Sequence, residues 1–166
     1  MTIAFRAMLF AREAHKSQRR KYTDNPYTDH LAEVAGIFAT VAQQYEHLQE
    51  DAIATAWLHD CVEDQGISGA VLAFEFGGQV SEAVLQFSDL ETGNRAERKA
   101  ASRRRLAGAW SWVQSIKVAD LISNTSSIMM HDPKFAVTYI EEKRLLLDVL
   151  TKADPRLMAV ARAQIE

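Results

Sequence analysis

The sequence predicts an all-α fold, one helical bundle of about eight or nine helices spanning residues 1–166 as a single domain. Three observations carry that expectation. Apolar residues recur with the period of a helix face along most of the chain. Alternation of apolar and polar residues never persists over five positions, so no half-buried strand is expected. The chain has only 7 Gly and 3 Pro, so few breaks interrupt the helices.

The elements follow in order. Ile3, Ala7, Phe10, Ala11 and Ala14 fall on one face of a first helix. Ser17 to Pro26 is polar and basic, and Asn25-Pro26 breaks the helical pattern. Leu31, Val34, Ala35, Phe38, Val41 and Ala42 mark the apolar stripe of a second helix, and a third runs from about Glu50 to Asp60. Ser68 is an N-cap candidate for a short helix through Phe76, which Gly77-Gly78 ends. Another short helix covers about Gln79 to Phe87, and Asp89 to Asn94 reads as a loop. Arg95 to Ala107 is a charged, mostly exposed helix; Arg103-Arg104-Arg105 reads as its solvated face. Trp110 to Met130 is the longest helix, stopped by Asp132-Pro133, and its two Trp residues read as packing residues. Ala136, Ile140, Leu147 and Leu150 mark the next helix, and Asp154-Pro155 opens a final short one.

Composition narrows the function. Hydrophobic residues at 48% and charged residues at 25% describe an ordinary globular chain. A net charge of −3 gives no global attraction to nucleic acid or anionic membrane, so neither is expected as a partner. An anionic substrate would need a local basic patch. The single cysteine, Cys61, excludes an internal disulfide and is compatible with a reducing, cytoplasmic setting. The apolar N-terminus is broken by Arg6, Arg12 and Glu13, which does not fit a signal peptide, and no run of about 18 apolar residues predicts a transmembrane helix.

The strongest local signal is Trp57-Leu58-His59-Asp60-Cys61-Val62-Glu63-Asp64. An apolar helix runs directly into four titratable side chains. Such a cluster is too costly to bury unpaired, since desolvating an ion costs several kcal/mol. A divalent cation is one compensation, and imidazole with carboxylate suits Mn, Fe, Zn or Mg. Two adjacent ligands do not complete a site. His30 opens the second helix, and Asp120 lies embedded in the apolar stretch Ile116 to Ile122. Lys117, Asp120 and Asn124 stand at i−3, i and i+4 and share a face, a combination suited to phosphate. Taken singly, each residue has a plainer reading. His30 reads as a cap or surface residue, His59-Asp60 as a helix end, Asp120 as the ion partner of Lys117, and Cys61 as a small packed residue.

The ordered set His30, His59-Asp60 and Asp120 resembles the HD superfamily of metal phosphohydrolases. More narrowly, the chain resembles the hydrolase domain of RelA/SpoT-type alarmone enzymes and their stand-alone small-hydrolase relatives. Four blocks carry the likeness. Ala14 to Lys21 resembles that family's opening helix and basic loop. Pro26-Tyr27-Thr28-Asp29-His30 resembles its Pro-Tyr-x-x-His entry to the second helix. His59-Asp60-Cys61-Val62-Glu63-Asp64 resembles its His-Asp-x-x-Glu-Asp box, and Lys117 to Asn124 its Lys-x-Ala-Asp-x-x-x-Asn segment. Leu31 stands where the family commonly has Pro, and the stretch Tyr22 to Asn25 is short, which bears on the substrate pocket.

The resemblance implies hydrolysis of the 3′-pyrophosphate of guanosine tetra- and pentaphosphate, with Mn²⁺ the usual cation and other divalent metals open. It implies metal ligation by His30, His59, Asp60 and Asp120. Glu63 and Asp64 match the acidic pair beside the attacking water. Arg20 and Lys21 match the loop that holds base or phosphates; Lys117 would offset phosphate charge and Asn124 matches a substrate-contacting amide. With the chain ending at Glu166, no synthetase domain or regulatory tail is expected to follow; homo-oligomerisation is left open. Two alternatives remain at this stage: the same chemistry on another nucleotide or a phosphorylated dinucleotide cofactor, and a non-catalytic nucleotide-binding helical module.

Overall fold

The computed structural model describes residues 1–166 and contains no β-strand. Every helix expected from periodicity is present. The α-helices are α1 (Ile3–Ala14), α2 (Thr28–Ala39), α3 (Gln49–Leu58), α4 (Cys61–Gln65), α5 (Gly69–Phe76), α6 (Gly78–Phe87), α7 (Arg95–Gly108), α8 (Ser111–His131), α9 (Pro133–Leu147) and α10 (Pro155–Ala163). Two elements go beyond the sequence reading. One is a 3-10 helix at Ala42–Leu48, and the other is the five-residue α4. The chain divides into two compact units, Met1–Ser88 and Asp89–Glu166.

In the first unit α3 is central, packed against α1, α2 and α6. The close approach has a sequence origin. Ala7 and Ala11 on α1 and Ala52, Ala54 and Ala56 on α3 are all fully buried, and their small side chains let the helices come together. Leu31, Leu58, Leu72, Phe76, Val80 and Val84 complete the core. Leu58 is fully buried, so its truncation to Ala would cost about 2–5 kcal/mol.

Helix ends are fixed locally. The Ser68 hydroxyl accepts from Val71 N–H and caps α5 as expected. Gly66, at φ +64, closes α4 in the left-handed region, and Gly77, at φ +90, ends α5. The basic loop after α1 is ordered by backbone bonds: Arg20 N–H donates to Asn25 O, Asp24 N–H to Arg20 O and Tyr27 N–H to Gln18 O. An isolated antiparallel bridge joins Arg19 and Pro26. The loop therefore returns the chain to the start of α2.

In the second unit α8 packs on α9 and α10, and α7 on α9. Buried polar side chains tie its segments. Gln114 donates to Leu106 O and accepts from Lys152 N–H, both at 2.8 Å, and Ser115 accepts from Asp154 N–H at 2.8 Å. Asp132 and Asp154 cap α9 and α10, each with Pro at the start of the helix. Asn94 and Glu97 form a capping box on α7. The solvated arginine face of α7 needs one correction. Arg105 is drawn into ion pairs with Asp89 and Glu91, while Arg104 stays exposed. No helix is long and apolar enough to cross a membrane.

Candidate metal centre

The first unit gathers two imidazoles and one carboxylate. His59 and Asp60 occupy the elbow between α3 and α4, and His30 sits in the first turn of α2. His30 and His59 are fully buried and Asp60 is 9% exposed. His59 Nε2 lies 2.9 Å and His30 Nε2 3.7 Å from Asp60 Oδ2. One donor atom from each residue lies within 4.8 Å of the other two.

The surroundings prepare these atoms for a cation. His59 Nδ1 lies 2.7 Å from the carbonyl oxygen of Ala56. A carbonyl only accepts, so Nδ1 carries a proton, and Nε2, which faces Asp60 and His30, is the nitrogen left to meet a cation. Backbone fixation of the distal nitrogen is the usual orienting contact of a ligating histidine. The His59 ring rests edge-on against Phe87, with centroids 4.9 Å apart. Asp60 stands at the N-cap position of α4, yet its carboxylate makes no cap bond. It turns instead towards the imidazoles and accepts from the Tyr27 hydroxyl at 2.7 Å. Two nitrogens and a carboxylate oxygen, buried and converging without thiolate, fit a divalent cation and leave coordination positions for other ligands.

The acids that follow are on the outside of the turn. Glu63 and Asp64 are both exposed on α4. Gln18 holds Asp64, its amide donating to Asp64 Oδ2 at 2.8 Å. Cys61 points into the core as a buried, packed residue, its sulfur 3.6 Å from His15 Nε2. Burial, reinforced by Asp60 and Asp64, pushes its thiol up to about 12, so it is a neutral donor. In the basic loop the exposed Lys21 ammonium lies 5.0 Å from the centroid of the Tyr22 ring, and Arg20 is half-buried.

Asp120, Lys117 and Asn124 belong to the second unit. Their shared face on α8 is realised. Lys117 Nζ donates to Asp120 Oδ2 at 3.0 Å, and Asn124 Nδ2 donates to Asp120 Oδ1 at 2.7 Å. Asp120 is 6% exposed. The plain ion-pair reading of Asp120 with Lys117 is thus correct as far as it goes.

Sequence reasoning missed the polar layer behind the imidazoles, namely His15, Gln18, Tyr27 and Gln65. The signal was present in the basic loop, whose Gln and aromatic residues read as loop surface until the fold folds them back onto α4.

Comparisons with known proteins agree with this geometry. Residues 7–136 match the HD domain family. A GTP pyrophosphokinase rsh of Brucella melitensis is 31% identical over 140 residues, covering 80% of this chain and 18% of that protein. A guanosine-3′,5′-bis(diphosphate) 3′-pyrophosphohydrolase of Haemophilus influenzae is 32% identical over 126 residues, covering 72% of this chain and 18% of that protein. The chain thus spans about a fifth of the length of the curated relatives it matches. Among solved structures, a metazoan ortholog of SpoT, described as hydrolysing ppGpp, superposes with a TM-score of 0.88 at 24% identity, covering 99% of this chain and 94% of that one. The lmo0812 protein of Listeria monocytogenes superposes with a TM-score of 0.67 at 21% identity, covering 87% and 96%. At these identities the structural likeness speaks for the fold.

Proposed function

The chain belongs to the HD domain family, and on that premise we propose that it is a metal-dependent phosphohydrolase that removes the 3′-pyrophosphate of guanosine 3′,5′-bis(diphosphate) and its pentaphosphate analogue. The observation that carries this reading is the buried convergence of His30, His59 and Asp60, with the acids Glu63 and Asp64 one turn further on. Relatives bearing the pyrophosphohydrolase name support the substrate. The family match runs across residue 88, which supports treating the two units as parts of one domain.

In this reading His30, His59, Asp60 and Asp120 hold the cation, with Mn²⁺ the preferred ion. When bound, a divalent cation supplies Lewis acidity towards a phosphoryl oxygen and eases deprotonation of water. The chain's own residues do the rest. Glu63 or Asp64 accepts the proton of the attacking water, a contribution worth roughly 10²–10⁴-fold. Water oxygen bonds to phosphorus as the bond to the ribose 3′-oxygen breaks; the departing 3′-oxygen takes up a proton to become the hydroxyl of GDP or GTP, and the phosphoryl group that gained the water oxygen is released as pyrophosphate. Arg20 and Lys21 offset the charge of the nucleotide polyphosphate, which answers how a chain of net charge −3 takes an anion. The roles of Asp120 as fourth ligand and of Lys117 and Asn124 as substrate contacts rest on the order of the motifs along the chain. A cytoplasmic setting belongs to the same proposal.

Product analysis tests it. Guanosine tetraphosphate with Mn²⁺ should yield GDP and pyrophosphate in equal amounts, and chelator should stop the reaction. Release of orthophosphate alone would move the chain to another phosphoester substrate. Nucleotide binding without product would make it a non-catalytic module.

A further inference from the structure

Asp60 is held by more than its neighbouring imidazoles. The Tyr27 hydroxyl donates to Asp60 Oδ2, the same oxygen that faces His59 and His30. Tyr27 is itself clamped. Its ring leans on His30 with centroids 5.3 Å apart at 59°, and stacks on His15 with centroids 5.3 Å apart at 20°. His15 is fully buried, and its Nδ1 lies 2.7 Å from Gln18 Oε1. An amide oxygen only accepts, so Nδ1 carries the proton. His15 Nε2 lies 3.6 Å from the sulfur of Cys61. Gln18 Oε1 also accepts from Gln65 at 2.6 Å, so Gln18 is anchored to α4.

We propose that Tyr27 is a positioning residue of the metal centre: its hydroxyl fixes the Asp60 carboxylate in the rotamer that turns Oδ2 towards His30 and His59, and His15, pinned by Gln18, fixes Tyr27. The chemistry favours a phenol at this place. A neutral O–H orients the carboxylate without cancelling the charge that attracts a cation, as a lysine or arginine would. A rigid ring carries that donor on few rotatable bonds, so little entropy is lost in holding it. Carboxylate ligands are commonly oriented by such outer hydrogen bonds. The inference rests on the reading of His30, His59 and Asp60 as ligands, and is independent of the substrate.

The test is Tyr27→Phe in the full chain, which keeps the ring contacts and removes the hydroxyl. Mn²⁺ binding by calorimetry should weaken about 10–100-fold. The unfolding midpoint in chelator should stay close to that of the parent protein, and the visible spectrum of the Co²⁺-loaded variant should shift. An unchanged Mn²⁺ isotherm and Co²⁺ spectrum would overturn the proposal while leaving the metal centre standing. Failure of the unaltered protein to bind Mn²⁺ would overturn both. If Tyr27→Phe does not fold, Gln18→Met decides: weaker Mn²⁺ binding with Tyr27 in place supports the clamp, and unaltered binding contradicts it.

Discussion

The Lys117 ammonium donates to the Asp120 carboxylate at 3.0 Å, one helical turn away on α8. Their side chains are only 14% and 9% exposed, so this is not a solvent-screened surface pair. The pair alone would account for a carboxylate within an apolar helix. A further role as metal ligand therefore has to be separated from it.

Asp120→Ala makes that separation. In chelator it should lose about 1.5–3 kcal/mol of stability, the range for a hydrogen bond to a charged group. With Mn²⁺ added, it should also lose metal affinity and turnover, each by more than about tenfold. Urea unfolding in chelator reports the first effect, and calorimetry with product release the second. Stability loss with full metal affinity would restrict Asp120 to its partnership with Lys117.

Cys61 should be chemically silent in the folded protein. Its thiol is buried and pushed up to about 12, while the thiolate is the reactive form. Mass spectrometry after iodoacetamide at pH 8 should find no adduct in native protein and one after unfolding in urea. Rapid native labelling would mean that α4 opens readily.

Lys143 predicts a rise of stability with pH. It is fully buried between α9 and its neighbours, donating to Thr125 Oγ1 at 2.8 Å and Gln164 Oε1 at 2.9 Å. Burial brings its pKa down from 10.5 to about 8. Between those values the unfolded chain keeps a proton that the folded chain releases, so folding gains as pH rises through that window. Lys143→Met should flatten this dependence relative to the parent protein, measured by urea unfolding at several pH values between 7.5 and 10. Parallel curves for the two proteins would contradict it.

The fold was legible because helix period, caps and breakers all pointed the same way. Ser68, Pro133 and Pro155 act where the sequence put them. The elbow after Leu58 was less legible. The third helix was expected to run to Asp60, but it stops at Leu58, and α4 is too short to show a period before Gly66 closes it. That two-residue gap turns His59 and Asp60 towards His30. The cap at Asn94 was read as loop, since Asn serves both. His59-Asp60 and His30 stood out as candidate ligands, whereas Tyr27, His15 and Gln18 lay inside the matching blocks with no role assigned. Their role depends on the loop, closed by the Arg19–Pro26 bridge, meeting α4 through contacts such as Gln18 to Asp64, 46 residues apart, that no local pattern encodes.

The account stands on one cation held by His30, His59 and Asp60. Calorimetric titration of Mn²⁺ into the metal-free parent protein and into His59→Ala tests it most directly. One ion should bind the parent protein, and none should bind the variant at comparable concentrations. A variant that takes up Mn²⁺ with the parent isotherm would contradict the assignment.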